Sequence, residues 1–182
     1  MNPTPVLTLP GLGNSGPDHW QSLWEAADPA FRRVIQRDWN RPDPAEWLET
    51  LHRHVIACGA PPMLVAHSLG CALVAHYAKN LAHPIKSALL VSPSDVDSPA
   101  HTPNEARGFS PMPLARFSFP SIVIASTNDP YVALERAKFF AQSWSSRLVT
   151  IKEGGHLNAA SGQGAWPEGR KLLNELLNPE ES

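Results

Sequence analysis

The segment Ala66-His67-Ser68-Leu69-Gly70 stands between the apolar run 62–66 (PMLVA) and a run of helix-forming residues that starts at Leu69. A serine at a strand-to-helix turn, flanked by small residues, is typical of the nucleophile elbow G-x-S-x-G. The flanking residues are small because the strand and helix backbones pass close together. Gly70 meets this need, and Ala66 adds one methyl group where the first glycine usually lies. The pattern predicts that the Ser68 hydroxyl projects above a sheet, although an ordinary serine N-cap fits the same residues.

Outward from the elbow, short apolar runs alternate with segments whose apolar residues recur at helical spacing. The predicted strands cover residues 5–10, 33–37, 62–67, 85–92, 120–127 and 147–152. Helices are predicted to start near Asp18 and at Pro44, and to cover 69–81, 131–144 and 167–177. This alternation predicts βαβ units with right-handed crossovers. The continuous apolar strands indicate an α/β fold whose mostly parallel sheet is covered by helices on both faces.

The chain of 182 residues suits one domain, which we expect to span residues 1–182. The segment 93–120 is rich in proline and serine and has no clear period. Connections longer than about 12–15 residues in compact domains are usually functional or disordered. Because this segment leaves the sheet close to the C-terminal end of the elbow strand, we expect it to form a lid or a wall of a pocket.

Two residues that follow strand ends complete the chemistry that a serine nucleophile needs. A serine hydroxyl requires a base and an orienting acid, and in this type of sheet they follow in the order Ser, Asp/Glu, His. Asp129 follows the fifth predicted strand, and His156 follows the sixth. Asp129 before Pro130 also fits a helix N-cap, and His156 after two glycines also fits a tight turn. Together with Ser68, they predict a catalytic triad at the C-terminal edge of the sheet.

The loop 11–15 (GLGNS) after the first strand predicts part of an oxyanion hole. We expect the backbone N–H groups of Leu12 and Leu69 to hold the oxyanion, the second of them at a helix N-terminus. A phosphate-binding loop is the competing interpretation, but the loop lacks both the Lys-Ser/Thr ending and the full G-x-G-x-x-G pattern. The candidate pocket residues are Gly11, His19, Trp20 and Trp166, although the aromatic residues also fit core packing at helix starts.

Composition excludes several classes of function. The net charge of −2, from 15 Lys+Arg and 17 Asp+Glu, does not suit nucleic acid, which needs a basic surface. The histidines and the two cysteines show no zinc spacing, so we expect no metal and no cofactor. Two cysteines are too few for a disulfide framework. The chain begins without a signal-like segment and has no apolar run near ~20 residues, so we expect a cytoplasmic protein that does not bind or span a membrane.

These motifs together resemble the α/β-hydrolase superfamily and, within it, the small serine hydrolases related to retinoblastoma-binding protein nine. The resembling segments are VLTLPGLGNSGPDHW at 6–20, VAHSLG at 65–70, STNDPYV at 126–132 and GGHLNAASGQGAWPEG at 154–169. The resemblance places the family's triad on Ser68, Asp129 and His156. It also implies a minimal α/β-hydrolase fold with about six strands in the spatial order 2-1-3-4-5-6 and no separate cap domain. The motif L-x-C-x-E is absent, so a retinoblastoma-pocket partner is not inferred.

We therefore expect a serine hydrolase that forms an acyl-enzyme on a small carboxylic ester. The carboxylesterase-like reaction is favoured over a peptidase or amidase reaction, but the same triad serves both and the alternative stays open. A binding protein on a hydrolase scaffold, with a weak or vestigial site, is the other alternative, because a fold does not imply a function. The expected partner is a small-molecule ester or amide substrate, and no protein partner is indicated.

Overall fold

Within residues 4–80 and 82–178, which the computed structural model describes, six strands form one sheet. They are β1 (Val6–Leu9), β2 (Phe31–Arg33), β3 (Met63–His67), β4 (Ser87–Val91), β5 (Ser121–Ser126) and β6 (Arg147–Ile151). Their spatial order is β2-β1-β3-β4-β5-β6, and every neighbouring pair is parallel. The predicted parallel sheet of about six strands and its predicted strand order are therefore confirmed.

Helices cover both faces of the sheet, as its apolar strands predict. In the described part of the chain they are α1 (Trp20–Ala27), α2 (Pro44–Ala57), α3 (Leu69–Lys79), α4 (Leu134–Trp144) and α5 (Pro167–Leu177), with 3₁₀ turns at Asn104–Phe109 and Ala159–Ser161. Leu64 and Ala66 belong to the core cluster that includes α2, α3 and α4. Met63 and Val65 belong to the cluster that includes α1 and α5. Successive residues of β3 therefore pack against helices on opposite faces of the sheet.

The predicted start of α2 is confirmed. The Asp43 carboxylate accepts a hydrogen bond from the Glu46 N–H at 2.9 Å, and Pro44 is the first helical residue. An Asp N-cap followed by proline satisfies one free N–H and presets φ for the first turn. The predicted end of α3 at Leu81 lies outside the described residues, as do residues 1–3 and 179–182 of the predicted single domain.

The prediction for β2 was displaced toward the C-terminus. The strand covers Phe31–Arg33 instead of 33–37. Residues 34–36 do alternate between the two faces, since Val34 and Gln36 are buried and Ile35 is 68% exposed. However, the ladder stops after the Val34 N–H donates to the Thr8 carbonyl, because β1 itself ends at Leu9.

The predicted start of α4 at Tyr131 was also wrong, because the helix begins at Leu134 after Ala133. The Asp129 carboxylate accepts from the Tyr131 N–H at 2.9 Å and so closes a local turn. Asp129 therefore does not cap a helix. Among the described helices, none is both long and apolar enough to cross a bilayer.

Candidate active site

The candidate site lies where the strand order reverses. The chain passes from β1 outward to β2 and then returns to place β3 on the other side of β1. In open parallel sheets, this reversal opens a crevice beyond the C-terminal strand ends. Gly11 follows β1 and Ser68 follows β3, so both loops enter the same crevice.

Ser68 has a backbone conformation that L residues rarely adopt, with φ 55° and ψ −122°. Such a conformation costs ~1–3 kcal/mol and persists only when the surrounding structure imposes it. Gly70 shows the constraint: a Cβ there would lie 2.2 Å from the Leu9 carbonyl oxygen. The start of α3 thus packs directly against the end of β1. Ser68 occupies the N-cap position but makes no side-chain cap, so its hydroxyl is available for other contacts.

The structure brings Ser68, His156 and Asp129 into one chain of hydrogen bonds. His156 Nε2 lies 2.9 Å from Ser68 Oγ, and His156 Nδ1 lies 2.9 Å from both oxygens of Asp129. The His156 and Asp129 side chains are buried. The preceding turn depends on Gly155, whose φ of +59° suits glycine.

Ser94 is a fourth member of this chain, which the sequence reasoning missed. Its Oγ lies 2.9 Å from Ser68 Oγ. The Asp129 carboxylate accepts the Nδ1–H of His156, so in the neutral imidazole Nε2 is an acceptor and the Ser68 hydroxyl donates to it. The Ser94 hydroxyl must then donate to Ser68 Oγ. Ser94 follows the end of β4, beside the elbow strand, and that position at the sheet edge is the only signal that could have indicated it.

The N–H groups predicted to form the oxyanion hole both border the crevice. Leu69 is the first residue of α3, so its N–H has no carbonyl partner within the helix. The N–H of Leu12 donates to none of the described residues. Gly11 packs against the elbow, and a Cβ there would be 3.0 Å from the Leu69 nitrogen. Only a glycine leaves this space open.

Two further histidines, His67 inside the elbow and His19 beside it, are held neutral. His67 Nε2 donates to the His156 carbonyl at 2.9 Å, and burial, aided by the fields of His156 and His19, holds the pKa of His67 well below its usual value. His19 Nδ1 accepts from the Gln21 N–H. Burial, then Arg33 and His156, lowers the pKa of His19 to about 4. Neither imidazole adds a positive charge to the site near neutral pH.

The profile of a family described as serine hydrolase matches residues 6–175. The chain belongs to the serine hydrolase family. A comparison with curated proteins finds no match.

Solved structures agree with this membership. A YdeN-like hydrolase from Pectobacterium atrosepticum SCRI1043 is 32% identical, with a TM-score of 0.87 over 97% of this serine hydrolase and 92% of that chain. The ydeN gene product of B. subtilis is 21% identical, with a TM-score of 0.76 over 96% and 99%. A monoacylglycerol lipase of Paleococcus ferrophilus is 14% identical, with a TM-score of 0.70 over 97% and 96%. The last two share the fold alone.

In this serine hydrolase, the crevice above Ser68 is a cleft of about 180 Å³. Residues at the ends of five strands and in the loops that follow them line it: Gly11, Leu12, Asn14, His19, His67, Ser68, Leu69, Ser94, Pro103, Ala106, Tyr131, His156 and Asn158. Of the candidate pocket residues, Gly11 and His19 are among them. The segment 93–120 supplies Ser94, Pro103 and Ala106, so it forms part of the wall.

Trp20 and Trp166 do not line the cleft, contrary to the expectation from the sequence. Both are buried, and their rings pack on each other with centroids 5.3 Å apart. Trp20 Nε1 donates to the Leu157 carbonyl at 2.8 Å. Trp166 covers Gly169, where a Cβ would lie 2.3 Å from its ring. These large rings fill the core under α1 and α5 instead.

Tyr131, Asn14 and Asn158 are lining residues that the sequence reasoning did not select. The Tyr131 ring lies against the His156 ring with centroids 4.5 Å apart, and the residue is 38% exposed. Each follows a residue already selected as functional by one to three positions in the chain, and that proximity could have indicated them. Tyr131 shields the imidazole from one side at the mouth of the cleft.

Other reactive groups near the sheet edge make hydrogen bonds or ion pairs away from the cleft. Cys71 is fully buried, its thiol donates to the Val91 carbonyl, and burial raises its pKa. Asp95, just after β4, is paired with the Arg136 guanidinium through both oxygens, at 2.9 and 3.0 Å. Within the described residues, no three His, Cys, Asp or Glu side chains are grouped to hold a metal ion.

Proposed function

We propose that this serine hydrolase cleaves a small carboxylic ester through an acyl-enzyme on Ser68, with His156 as base and Asp129 as orienting acid. The observation that carries the proposal is the hydrogen-bond chain from Asp129 through His156 to Ser68, with 2.9 Å at each step. These distances are within the range that direct proton transfer requires. The strained backbone of Ser68 adds support, since strain of this kind accumulates at functional sites.

In the acylation half, Ser68 Oγ attacks the ester carbonyl carbon and its proton passes to His156 Nε2. Asp129 keeps the Nδ1 proton in place and stabilises the imidazolium that forms, without taking the proton itself. The carbonyl oxygen becomes an oxyanion that the N–H groups of Leu12 and Leu69 bind. Collapse of this intermediate breaks the bond to the alcohol, which leaves with the proton from Nε2.

In the deacylation half, a water molecule takes the place of the alcohol. His156 Nε2 accepts its proton while the hydroxide attacks the acyl carbon, and the collapse returns the proton to Ser68 Oγ. The Ser94 hydroxyl, 2.9 Å from Ser68 Oγ, can donate to that oxygen while its proton passes to His156. An ester is favoured over an amide because an alcohol leaves the tetrahedral intermediate more readily than an amine.

The size of the cleft supports a short acyl group. Its volume of about 180 Å³ lies below the ~300–1,000 Å³ of most small-ligand pockets. We therefore expect acetyl to butyryl esters to be cleaved faster than long-chain esters. A preference for long acyl chains would contradict this part of the proposal.

The test is covalent labelling with a fluorophosphonate, which reacts with an activated serine. The wild-type protein should gain one adduct, and Ser68→Ala should gain none while it keeps the same thermal unfolding midpoint. A folded wild-type protein that stays unlabelled would contradict the proposal and favour a binding protein on this scaffold. A panel of short p-nitrophenyl esters and the matching anilides then compares ester with amide cleavage.

A further inference from the structure

Two asparagine amides reach the cleft from opposite ends of the chain. Asn14 belongs to the loop after β1, and Asn158 follows His156 by two residues. Both line the cleft that contains Ser68. Neither has a part in the proposed acyl transfer.

The contacts of each amide fix which end it presents. Asn14 Oδ1 accepts from Arg33 Nη1 at 3.0 Å. Asn158 Oδ1 accepts from the N–H and the hydroxyl of Ser161, both at 3.1 Å. A guanidinium and a backbone N–H can only donate, so neither amide can be flipped without losing its bond. The NH₂ ends, which make no hydrogen bond to any described residue, are therefore the ends left for a ligand.

The lining also determines the charge that a ligand can carry. No Asp, Glu, Lys or Arg is among the lining residues of the described structure. His19 and His67 are neutral near pH 7, since both pKa values are lowered. The Arg33 guanidinium that contacts Asn14 is paired with Glu25 at 2.9 Å. A substrate carboxylate would therefore find no unpaired cation in the lining, and a substrate ammonium would find no carboxylate. Burying an unpaired charge is costly, so the cleft favours a neutral ligand.

On the basis of the proposed hydrolysis at Ser68, we propose that the substrate is a short neutral ester with a second hydrogen-bond acceptor. An ether, hydroxyl or carbonyl oxygen near the scissile bond would accept from the NH₂ groups of Asn14 and Asn158. A plain alkyl ester offers these donors no second acceptor. The two asparagines are thus specificity residues, separate from the groups that move protons.

A matched pair of substrates tests this idea: the p-nitrophenyl esters of methoxyacetic and butyric acid. The two acyl groups have the same chain length and differ in one position, an ether oxygen in place of a methylene. Each kcat/KM is divided by the rate of spontaneous hydrolysis, which removes the higher intrinsic reactivity of the methoxyacetyl ester. We expect the wild-type protein to prefer methoxyacetyl by about threefold to tenfold, the discrimination that one net hydrogen bond supplies.

Asn14→Asp and Asn158→Asp change each NH₂ into an oxygen of nearly the same size. Aspartate still accepts from Arg33 or Ser161, and it tolerates both the positive φ of residue 14 and an N-cap position. We expect each variant to lose the preference and to gain activity on the cationic β-alanyl ester. The control is Asn174→Asp, an exposed position on α5 that does not line the cleft, which should keep the wild-type ratio.

The outcomes separate this inference from the proposed function. Labelling of Ser68 with equal corrected rates for both esters, unchanged in the Asp variants, would overturn the inference and leave the hydrolase intact. A uniform loss on all esters in the Asp variants would also overturn it, because added charge alone would then explain the effect. Absence of both labelling and ester cleavage in the wild-type protein would instead contradict the proposed function.

Discussion

Replacing Gly11 with alanine would place a methyl group inside the proposed oxyanion hole. The ideal Cβ would lie 2.8 Å from Ser68 Cβ, 3.0 Å from the Leu69 nitrogen and 3.1 Å from the His67 carbonyl oxygen. The contact between two non-bonded carbon atoms is most favourable at a separation of ~3.5–4.0 Å. The loop after β1 or the elbow must therefore move by several tenths of an ångström. The neighbouring atoms belong to the backbone or to a Cβ, so no side-chain rotation can relieve the contact.

The expected loss of activity follows from that displacement. Functional groups must be held within about 0.5 Å of their productive positions, and one misplaced oxyanion donor costs ~10²–10³ in kcat. We therefore expect Gly11→Ala to lower kcat by about a hundredfold or more. The cost in stability should be smaller, about 1–3 kcal/mol for an overpacked site, since the φ of Gly11 is not positive.

The assay is kcat on a short p-nitrophenyl ester together with thermal unfolding. The matched control is Gly16→Ala in the same loop, where a Cβ would meet nothing within 4 Å and φ is not positive. That variant should keep kcat within about twofold, since nothing in the site moves. If Gly11→Ala is as active as Gly16→Ala, the assignment of the Leu12 and Leu69 N–H groups is refuted.

Three further predictions follow from contacts around the elbow. Ser94→Ala removes the donor to Ser68 Oγ and should lower kcat about threefold to tenfold. Ser94→Thr keeps a hydroxyl and should retain most of the wild-type kcat. Equal kcat in the two variants would show that the hydroxyl of residue 94 does not contribute to the reaction. Gly70→Ala puts a Cβ 2.2 Å from the Leu9 carbonyl oxygen and should lower the free energy of unfolding by about 3 kcal/mol, which a urea titration measures. The pKa of His19 falls from 6.5 to about 4 on folding, so the unfolded chain binds the extra proton. The free energy of unfolding should then fall by up to about 3 kcal/mol from pH 6.5 to 4. His19→Asn, which keeps an acceptor for the Gln21 N–H, should flatten that slope in part, and an unchanged slope would show that His19 is not its source.

The sheet could be predicted because its signals are local. Each strand is an apolar run with flanking turn residues, and the elbow combines a strand end with a glycine that packing requires at position 70. The displacement of β2 shows the limit of such patterns. Residues 34–36 alternate correctly, but whether they pair depends on where β1 ends, and no pattern within 33–37 contains that information.

The candidate site was predictable in part for a related reason. Ser68, Asp129 and His156 each follow a strand, and parallel strands bring their C-terminal ends to one edge. Asp129 was ambiguous because Asp-Pro also precedes helices, and only the position of His156 distinguishes the two uses. Ser94 and the two asparagines depend on loop conformations and on contacts with Ser68, Arg33 and Ser161. The contacts of Ser94 and Asn14 join residues that sequence spacing does not relate, whereas Asn158 and Ser161 are three residues apart and form a local capping box.

The most direct measurement of the central claim is capture of the acyl-enzyme itself. Wild-type protein is mixed with excess p-nitrophenyl acetate, quenched in acid within milliseconds to seconds, and analysed by intact mass and peptide mapping. The account predicts a burst of one nitrophenolate per active site, with one acetyl group on Ser68 and none in Ser68→Ala. Asp129→Asn should slow the burst strongly, because the imidazole loses its orienting partner. Nitrophenolate release by the wild-type protein with no acetyl group on Ser68, or with the acetyl group on another residue, would contradict it.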